Sequence, residues 1–204
     1  TTVPKPLKAR VLGSAGFYIE RPLKIVMVNG LVGLFVVGLV LFLFLGFRIA
    51  AMAVLGLPFV YLGTFIALDW LGVSIHLISV IGMLLVLGIL VDDAILVSER
   101  FLEMLQDGLQ PREAAIEAAS RIFRPVAGTI ITNIVVFAPI LFIKSEISLV
   151  FYAVPVVVIS TLLLSLFESF FILPNHLVHF VPKGYVFKER RIFLVMQGAY
   201  TKAL

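Results

Sequence analysis

The stretch that decides the fold is Gly82-Met-Leu-Leu-Val-Leu-Gly88-Ile-Leu-Val-Asp92-Asp93-Ala-Ile-Leu-Val-Ser-Glu99-Arg100. Two adjacent carboxylates lie within a run of leucine, valine and isoleucine that otherwise has the composition of a membrane span. Each ionised aspartate near the centre of a span costs about 2.5 to 3.5 kcal/mol, so the pair needs a cation, protons or water. One alternative is that Asp92 and Asp93 cap the interfacial end of the helix. Asp93 lies on the order of 10 Å along the helix from Glu99, which favours an acid pair with a function.

The composition of the chain is typical of membrane proteins. Hydrophobic residues make up 61% of the 204 residues, and charged residues only 14%. The absence of cysteine excludes disulfides, thiol nucleophiles and thiolate metal sites. The net charge of +4 is modest and lies between the apolar runs, so we predict no binding of nucleic acid. These features predict an all-α, polytopic membrane helix bundle.

Five apolar runs are long enough to cross a bilayer, which requires about 20 residues each. We predict transmembrane helices near residues 25–47, 49–68, 75–97, 126–143 and 147–173. Pro58 should kink the second span, Gly108 should end the polar extension of the third, and Pro174 should close the fifth.

Amphipathic segments flank and interrupt the bundle, which we place over residues 25–182. Residues 1–24 combine basic residues with prolines and predict a short amphipathic segment. Pro111 suits the first turn of a helix, and residues 111–123 have one apolar face, as in a helix along the membrane surface. Residues 183–204 predict a basic amphipathic helix in the interface.

The distribution of basic residues predicts the orientation of the bundle. With five spans the termini lie on opposite sides, and the side with residues 99–124 and the carboxy-terminal tail carries more lysine and arginine. Because the more basic side usually faces the cytoplasm, we predict a periplasmic amino terminus and a cytoplasmic carboxy terminus. The basic residues before the first span argue in the opposite direction.

The acid pair is a candidate proton carrier. Adjacent residues of a helix point about 100° apart, so Asp92 and Asp93 face different neighbours. Two carboxylates packed in a low dielectric cannot both remain ionised without a cation. A proton taken up from one side and released toward the other would change the packing of the helix. A fixed salt bridge is the static alternative, but Arg100 lies too far along the helix and Lys144 belongs at the opposite surface.

Five further residues are candidates for supporting the acid pair: Gly88, Thr129, Thr132, Asn133 and Glu168. Gly88 leaves room for water or a neighbouring backbone, although glycines also serve helix packing alone. The three polar residues of the fourth span either hydrogen-bond toward the acids or link helices in the ordinary way. Glu168 either contributes to a proton path or reaches water near the end of its helix. We predict no metal site, because His176 and His179 lack a third ligand.

Several sequence motifs carry a family resemblance. They are Gly88-Ile-Leu-Val-Asp92-Asp93-Ala-Ile-Leu-Val, Glu99-Arg100, Gly108-Leu-Gln-Pro111, Leu41-Phe-Leu-Phe-Leu-Gly-Phe-Arg48 and Ala138-Pro139. Together they resemble the second to sixth transmembrane helices of resistance-nodulation-division (RND) transporters, in particular the hydrophobe and amphiphile efflux branch. The heavy-metal branch usually has alanine where Asp93 stands. The resemblance covers roughly residues 20–182.

The resemblance implies a segment of a proton-driven multidrug or amphiphile efflux transporter, and not an enzyme. Asp92 and Asp93 would be the proton-relay acids, with protons as the coupling ion and no other cofactor. Their lysine or arginine partner and the periplasmic porter domains would come from the remainder of a homotrimeric transporter in the bacterial inner membrane. A periplasmic adaptor, an outer-membrane channel and lipids are further implied partners. The segment alone is expected not to transport, and the sequence does not identify its substrate.

Two other function classes remain as alternatives. A sterol-sensing-like or lipid-binding module is the stronger of them, because a related Gly-x-x-x-Asp-Asp pattern occurs in sterol-transporter relatives of the same superfamily. The continuation Val91-Asp-Asp-Ala-Ile favours efflux. An intramembrane aspartyl protease would need its two acids on different helices, which adjacent acids on one helix do not provide.

Overall fold

The structure is a computed structural model that describes residues 15–143 and 151–181. Its helices are α1 (Ala15–Leu45), α2 (Phe47–Trp70), α3 (Leu77–Gln106), α4 (Pro111–Phe137), α5 (Ala153–Phe167) and α6 (Leu173–Phe180). A 3₁₀ turn, Ala138–Phe142, follows α4, and a π-helical turn, Glu168–Ile172, joins α5 to α6. All regular structure in the described ranges is helical. This confirms the predicted all-α membrane bundle.

Within the described ranges, four helical rods are long and apolar enough to cross a membrane. They are Phe47–Trp70, Leu77–Gln106, Pro111–Phe142 and Ala153–Phe180. The shorter apolar run Met27–Leu43 lies inside α1. The chain is therefore a multi-pass membrane protein.

The first two helices form the tight hairpin that the sequence predicts. Gly46 is the single residue between α1 and α2, and its φ of 81° is a conformation that residues with a side chain rarely adopt. A Cβ on Gly38 would lie 3.6 Å from Val54, and these two residues are equally far from Gly46 along the chain. The helices therefore run antiparallel and in close contact.

The helix limits differ from the prediction in three places. α1 begins at Ala15, inside the segment 1–24 that we expected to precede the bundle. The predicted surface helix 111–123 and the fourth span 126–143 are parts of one continuous helix, with Pro125 inside it. A proline within a helix removes one backbone hydrogen bond, and this loss need not end the helix.

The third difference concerns Pro174, which does not end the helical rod of the predicted fifth span. The helical path continues to Phe180, with Pro174 in the first turn of α6. In the preceding π turn, the backbone N–H of Leu173 donates to the carbonyl of Glu168, five residues earlier. This wider turn relieves the crowding between a proline ring and the preceding turn. By contrast, Gly108 ends α3 as predicted, with a φ of 89°.

α3 is the central helix of the bundle. It packs against α1, α4 and α5. A Cβ on Gly82 would lie 3.5 Å from the backbone of Val154, so α3 and α5 approach closely on this face. The predicted turn at residues 144–146, the start of the fifth span at 147, and the interfacial helix 183–204 lie outside the described residues.

A pair of buried threonines links α2 to α5. The hydroxyl oxygens of Thr64 and Thr161 lie 3.2 Å apart. Each hydroxyl also lies within hydrogen-bond distance of a carbonyl on its own helix, Val60 for Thr64 and Val157 for Thr161. Because a hydroxyl has one proton, one threonine donates across the interface while the other donates within its helix.

We expect Thr64→Val to lower the free energy of unfolding by about 0.6 kcal/mol, the average value of a hydrogen bond between membrane helices. The measurement is unfolding of the purified protein in mixed micelles with increasing SDS. Thr132→Val is the matched control, because the exposed Thr132 hydroxyl donates to the carbonyl of Gly128 in its own helix and, among the described residues, to no other helix. Equal effects of the two substitutions would contradict the interhelical bond.

Candidate functional site

α3 separates the two adjacent acids onto different faces. The side chain of Asp93 is 4% exposed, and that of Asp92 is exposed. Asp92 shares its face with Leu85 and Leu96, which are also exposed. The separation follows from the 100° rotation between neighbouring residues of a helix. One carboxyl therefore lies inside the described bundle, while the other lies on its open face.

Asp93 faces α5, where a serine binds it. The hydroxyl of Ser165 donates a hydrogen bond of 3.3 Å to Oδ2 of the Asp93 carboxylate. Ser165 is 1% exposed, so this contact is closed to water within the described bundle. A single hydroxyl donor leaves most of the acceptor sites of an ionised carboxylate unfilled.

Glu168 brings a second acid to the same interface. It lies three residues after Ser165, and its side chain is 3% exposed. The hydroxyl of Ser169 donates a bond of 3.4 Å to Oε2 of Glu168, whereas Oε1 has no hydrogen-bond partner among the described residues. The π turn that Glu168 begins packs against α3, the helix that carries Asp93. The interior thus holds two carboxyls, one on each of two packed helices.

Gly56 of α2 gives the Glu168 carboxyl its space. A Cβ at this position would lie 2.5 Å from Cδ of Glu168 and still closer to Oε1. Atoms do not approach this closely without a clash, so only a glycine leaves room for the carboxyl in this position. Three elements, α2, α3 and the rod that contains α5, therefore enclose the two buried acids.

The acids have no basic partner in the part of the chain that the structure describes. Its two ion pairs are Arg100 with Glu103 and Arg121 with Glu117. Both pairs are exposed or half-exposed and lie near the polar end of the bundle. A cation that neutralises Asp92 or Asp93 would therefore have to come from outside the described residues.

The predicted supporting residues have different surroundings. Gly88 has open space beside it, with no atom within 4 Å of a Cβ built there. Thr129 donates to the carbonyl of Val126 and Thr132 to that of Gly128, both in their own helix. Asn133 is half-exposed and makes no hydrogen bond within the described ranges. Among the five candidates, Glu168 is the one that lies, buried, in the interface between α3 and the rod that contains α5.

Three residues of the site escaped the sequence analysis: Ser165, Ser169 and Gly56. A signal exists for Ser165, because a residue three positions before Glu168 lies on the same helical face. Ser169 follows Glu168 directly in the sequence. Gly56 carries no signal of its own, since its role depends on how α2 packs against the π turn.

The arrangement can hold a proton in an apolar interior. A buried carboxylate without a cation is costly, and a proton removes its charge. Asp92, which precedes Asp93 in the sequence, has its carboxyl on the exposed face of α3. The same helix therefore presents proton-binding groups to two different environments.

Comparison with known proteins gives consistent matches. The model of the AcrB/AcrD/AcrF family matches residues 1–204. The multidrug resistance protein MdtF of Escherichia coli K12 is 32% identical over 159 residues, which cover 77% of this chain and 15% of MdtF. The multidrug export protein AcrF of the same strain is 33% identical over 138 residues, 67% of this chain and 13% of AcrF. The solvent-resistant pump membrane transporter SrpB of Pseudomonas putida is 30% identical over 159 residues, 76% of this chain and 15% of SrpB.

Proposed function

The chain belongs to the AcrB/AcrD/AcrF family, and from this membership we propose that it forms the proton-coupled transmembrane part of an efflux transporter. The chain spans only about 15% of the length of the relatives it matches, so the activity of a whole transporter enters here as a proposal. The names of MdtF and SrpB support drugs or apolar solvents as the class of substrate. These relatives are transporters, which supports a transport function over an enzymatic one.

One observation carries the proposal: a buried acid and an exposed acid are neighbours in a single transmembrane helix. Asp93 faces Ser165 in the interior, and Asp92 faces the open side of α3. Intramembrane acids are rare, and they commonly mark ion or proton pathways. We assign the proton-relay role to this pair, with Gly88 leaving space beside Asp92 for water or a neighbouring helix.

The proposed coupling follows from the cost of burying charge. When Asp93 releases its proton, an ionised carboxylate remains between α3 and α5 with one serine donor. Water, a cation or a shift of α3 must then compensate this charge. Uptake of a proton removes the need for compensation. Each cycle of binding and release thus changes the preferred packing of α3, and this movement would be transmitted to the substrate pathway.

The cation and the substrate pathway are assigned to parts of the transporter outside the described residues. We propose that a lysine or arginine there faces Asp92 and Asp93, and that periplasmic porter domains carry the substrate. The proposed transporter is a homotrimer of the bacterial inner membrane, with the amino terminus of this chain periplasmic and its carboxy terminus cytoplasmic. The excess of basic residues after α3 supports this orientation.

The proton gradient is expected to be the sole energy source of export. Cells that express the full-length transporter should accumulate less of a fluorescent amphiphilic dye than cells without it, and a protonophore should remove the difference. Depletion of ATP while the proton gradient is maintained by respiration should leave the difference in place. Export that continues after the protonophore has collapsed the gradient would refute proton coupling.

A further inference from the structure

We propose that Asp93 and Glu168 form an interhelical carboxyl pair that binds one exchangeable proton between them. This deepens the proposed function, on which it rests for the statement that protons enter the bundle during transport. The pair extends the proton-binding site from α3 onto the rod that contains α5 and the π turn. Glu168 would act as a second proton-binding residue rather than as a structural contact.

Asp93 and Glu168 lie on helical rods that pack against each other. Ser165 donates to Asp93 at 3.3 Å and lies on the same helical face as Glu168, three residues later. The rod that carries this donor to Asp93 thus also carries the second acid, about one turn further along the same face. The π turn that Glu168 begins also packs against α3. Both side chains are buried, with 4% and 3% exposure.

Glu168 has hydrogen-bonding capacity that the described residues do not use. Oε1 of Glu168 is buried and has no partner among the described residues. A protonated carboxyl has one O–H donor, and an ionised carboxylate accepts several hydrogen bonds. In the proposed pair, the acid that holds the proton donates to the other acid. Transfer between the two moves only this proton from one carboxyl oxygen to another, and release moves it to water.

Glu168 is confined by Gly56 of α2 and by its place in the π turn. Gly56 leaves the space that the carboxyl occupies, and a Cβ there would lie 2.5 Å from Cδ. The residue also begins the π-helical turn, a deviation that is common at functional sites. A glutamate that merely reached toward water would need neither the glycine nor the buried position.

The other charged groups around the pair lie elsewhere. On α3, Asp92 is on the open face, and on α2 the ends carry the exposed Arg48 and Asp69. The Tyr61 hydroxyl of α2 donates to the carbonyl of Met83. On α4, the charged side chains are exposed or half-exposed, including the ion pair between Glu117 and Arg121. On α6, the exposed His179 bonds to Asn175, and His176 lies eight residues after Glu168.

The test is infrared titration of the full-length transporter in lipid membranes. The carbonyl band of protonated carboxyls is followed against pH in the wild type, Asp93→Asn, Glu168→Gln and the double variant. Differences between spectra assign the contribution of each acid. Since the two groups form a coupled pair, we expect each single substitution to shift the titration midpoint of the remaining acid by about one pH unit or more.

The same titration includes a control variant and can give a result that contradicts the carboxyl pair. Glu113→Gln makes the same chemical change at an exposed position of α4 and should shift neither midpoint. Unchanged titration of Asp93 after Glu168→Gln would overturn the pair. If that result occurs while Asp93→Asn abolishes export, the proposed function stands and only the pair is wrong. If the midpoints shift but Asp93→Asn still exports, the pair stands and the proposed function is wrong.

A second measurement needs no substitution at Glu168. Hydrophobic carbodiimides react with protonated carboxyls, and mass spectrometry identifies the modified residue. We expect modification of Glu168 in the wild type, with a pH dependence that moves by about one pH unit or more in Asp93→Asn. Identical labelling profiles in the two proteins would overturn the proposal.

Discussion

Replacing Asp93 with asparagine is expected to reduce proton-coupled export by the full-length transporter to background. Asparagine has nearly the shape of a protonated aspartic acid, and its carbonyl oxygen can accept the hydrogen bond from Ser165. The substitution removes a buried ionisable group and leaves the Ser165 hydroxyl with an acceptor, so the fold should be retained. What the variant loses is the ability to bind and release a proton. Asp92→Asn should have the same effect on export.

The measurement is dye export from cells or proteoliposomes with an imposed proton gradient, together with the amount and oligomeric state of each purified variant. Asp69→Asn is the matched control, since Asp69 is exposed at the end of α2 and should export normally. Near-normal export by Asp93→Asn would remove the proton-relay assignment. Loss of assembly in the variant would instead give Asp93 a structural role.

The features that the sequence could predict are those with local causes. The apolar runs predict the helical rods, because each run has the length that a bilayer requires. The positive φ of Gly108 follows from the preference for glycine where a helix ends. The separation of Asp92 from Asp93 onto different faces follows from the rotation per residue of a helix alone.

The features that the sequence could not predict depend on how helices pack. Contact between Asp93 and Ser165 requires the relative rotation and height of α3 and α5, which no local pattern specifies. Pro174 also differs from its predicted effect. Its position in the sequence predicts the end of a helix. The structure instead accommodates it after a π turn, and that turn begins at Glu168. Glu168 is a candidate from the sequence alone, but its place in a π turn that packs against α3 depends on tertiary structure.

Gly56→Ala is expected to destabilise the transporter by about 1 to 3 kcal/mol, the usual range for overpacking a well-packed interior. The added methyl group would overlap the Glu168 carboxyl, whose carbon would be 2.5 Å away. The overlapping atoms are the end of a side chain, and because Glu168 is buried, moving its carboxyl requires repacking between α2 and the rod that contains α5. Unfolding in mixed micelles with increasing SDS measures the loss, and export is expected to fall as Glu168 is displaced from Asp93.

Gly63→Ala is the matched control for this substitution, since Gly63 lies two turns later on the same helix. A Cβ there would lie 3.1 Å from a terminal methyl group of Leu164, which can rotate away. The gain in helix propensity from glycine to alanine, about 1 kcal/mol, offsets such a small adjustment. Stability should therefore change by less than about 1 kcal/mol. Because the clash at Gly56 is with one side chain, Glu168→Ala should restore stability to Gly56→Ala without restoring the shared proton. If the double variant is as unstable as Gly56→Ala alone, the clash is with the backbone, and Gly56 serves helix packing rather than the carboxyl of Glu168.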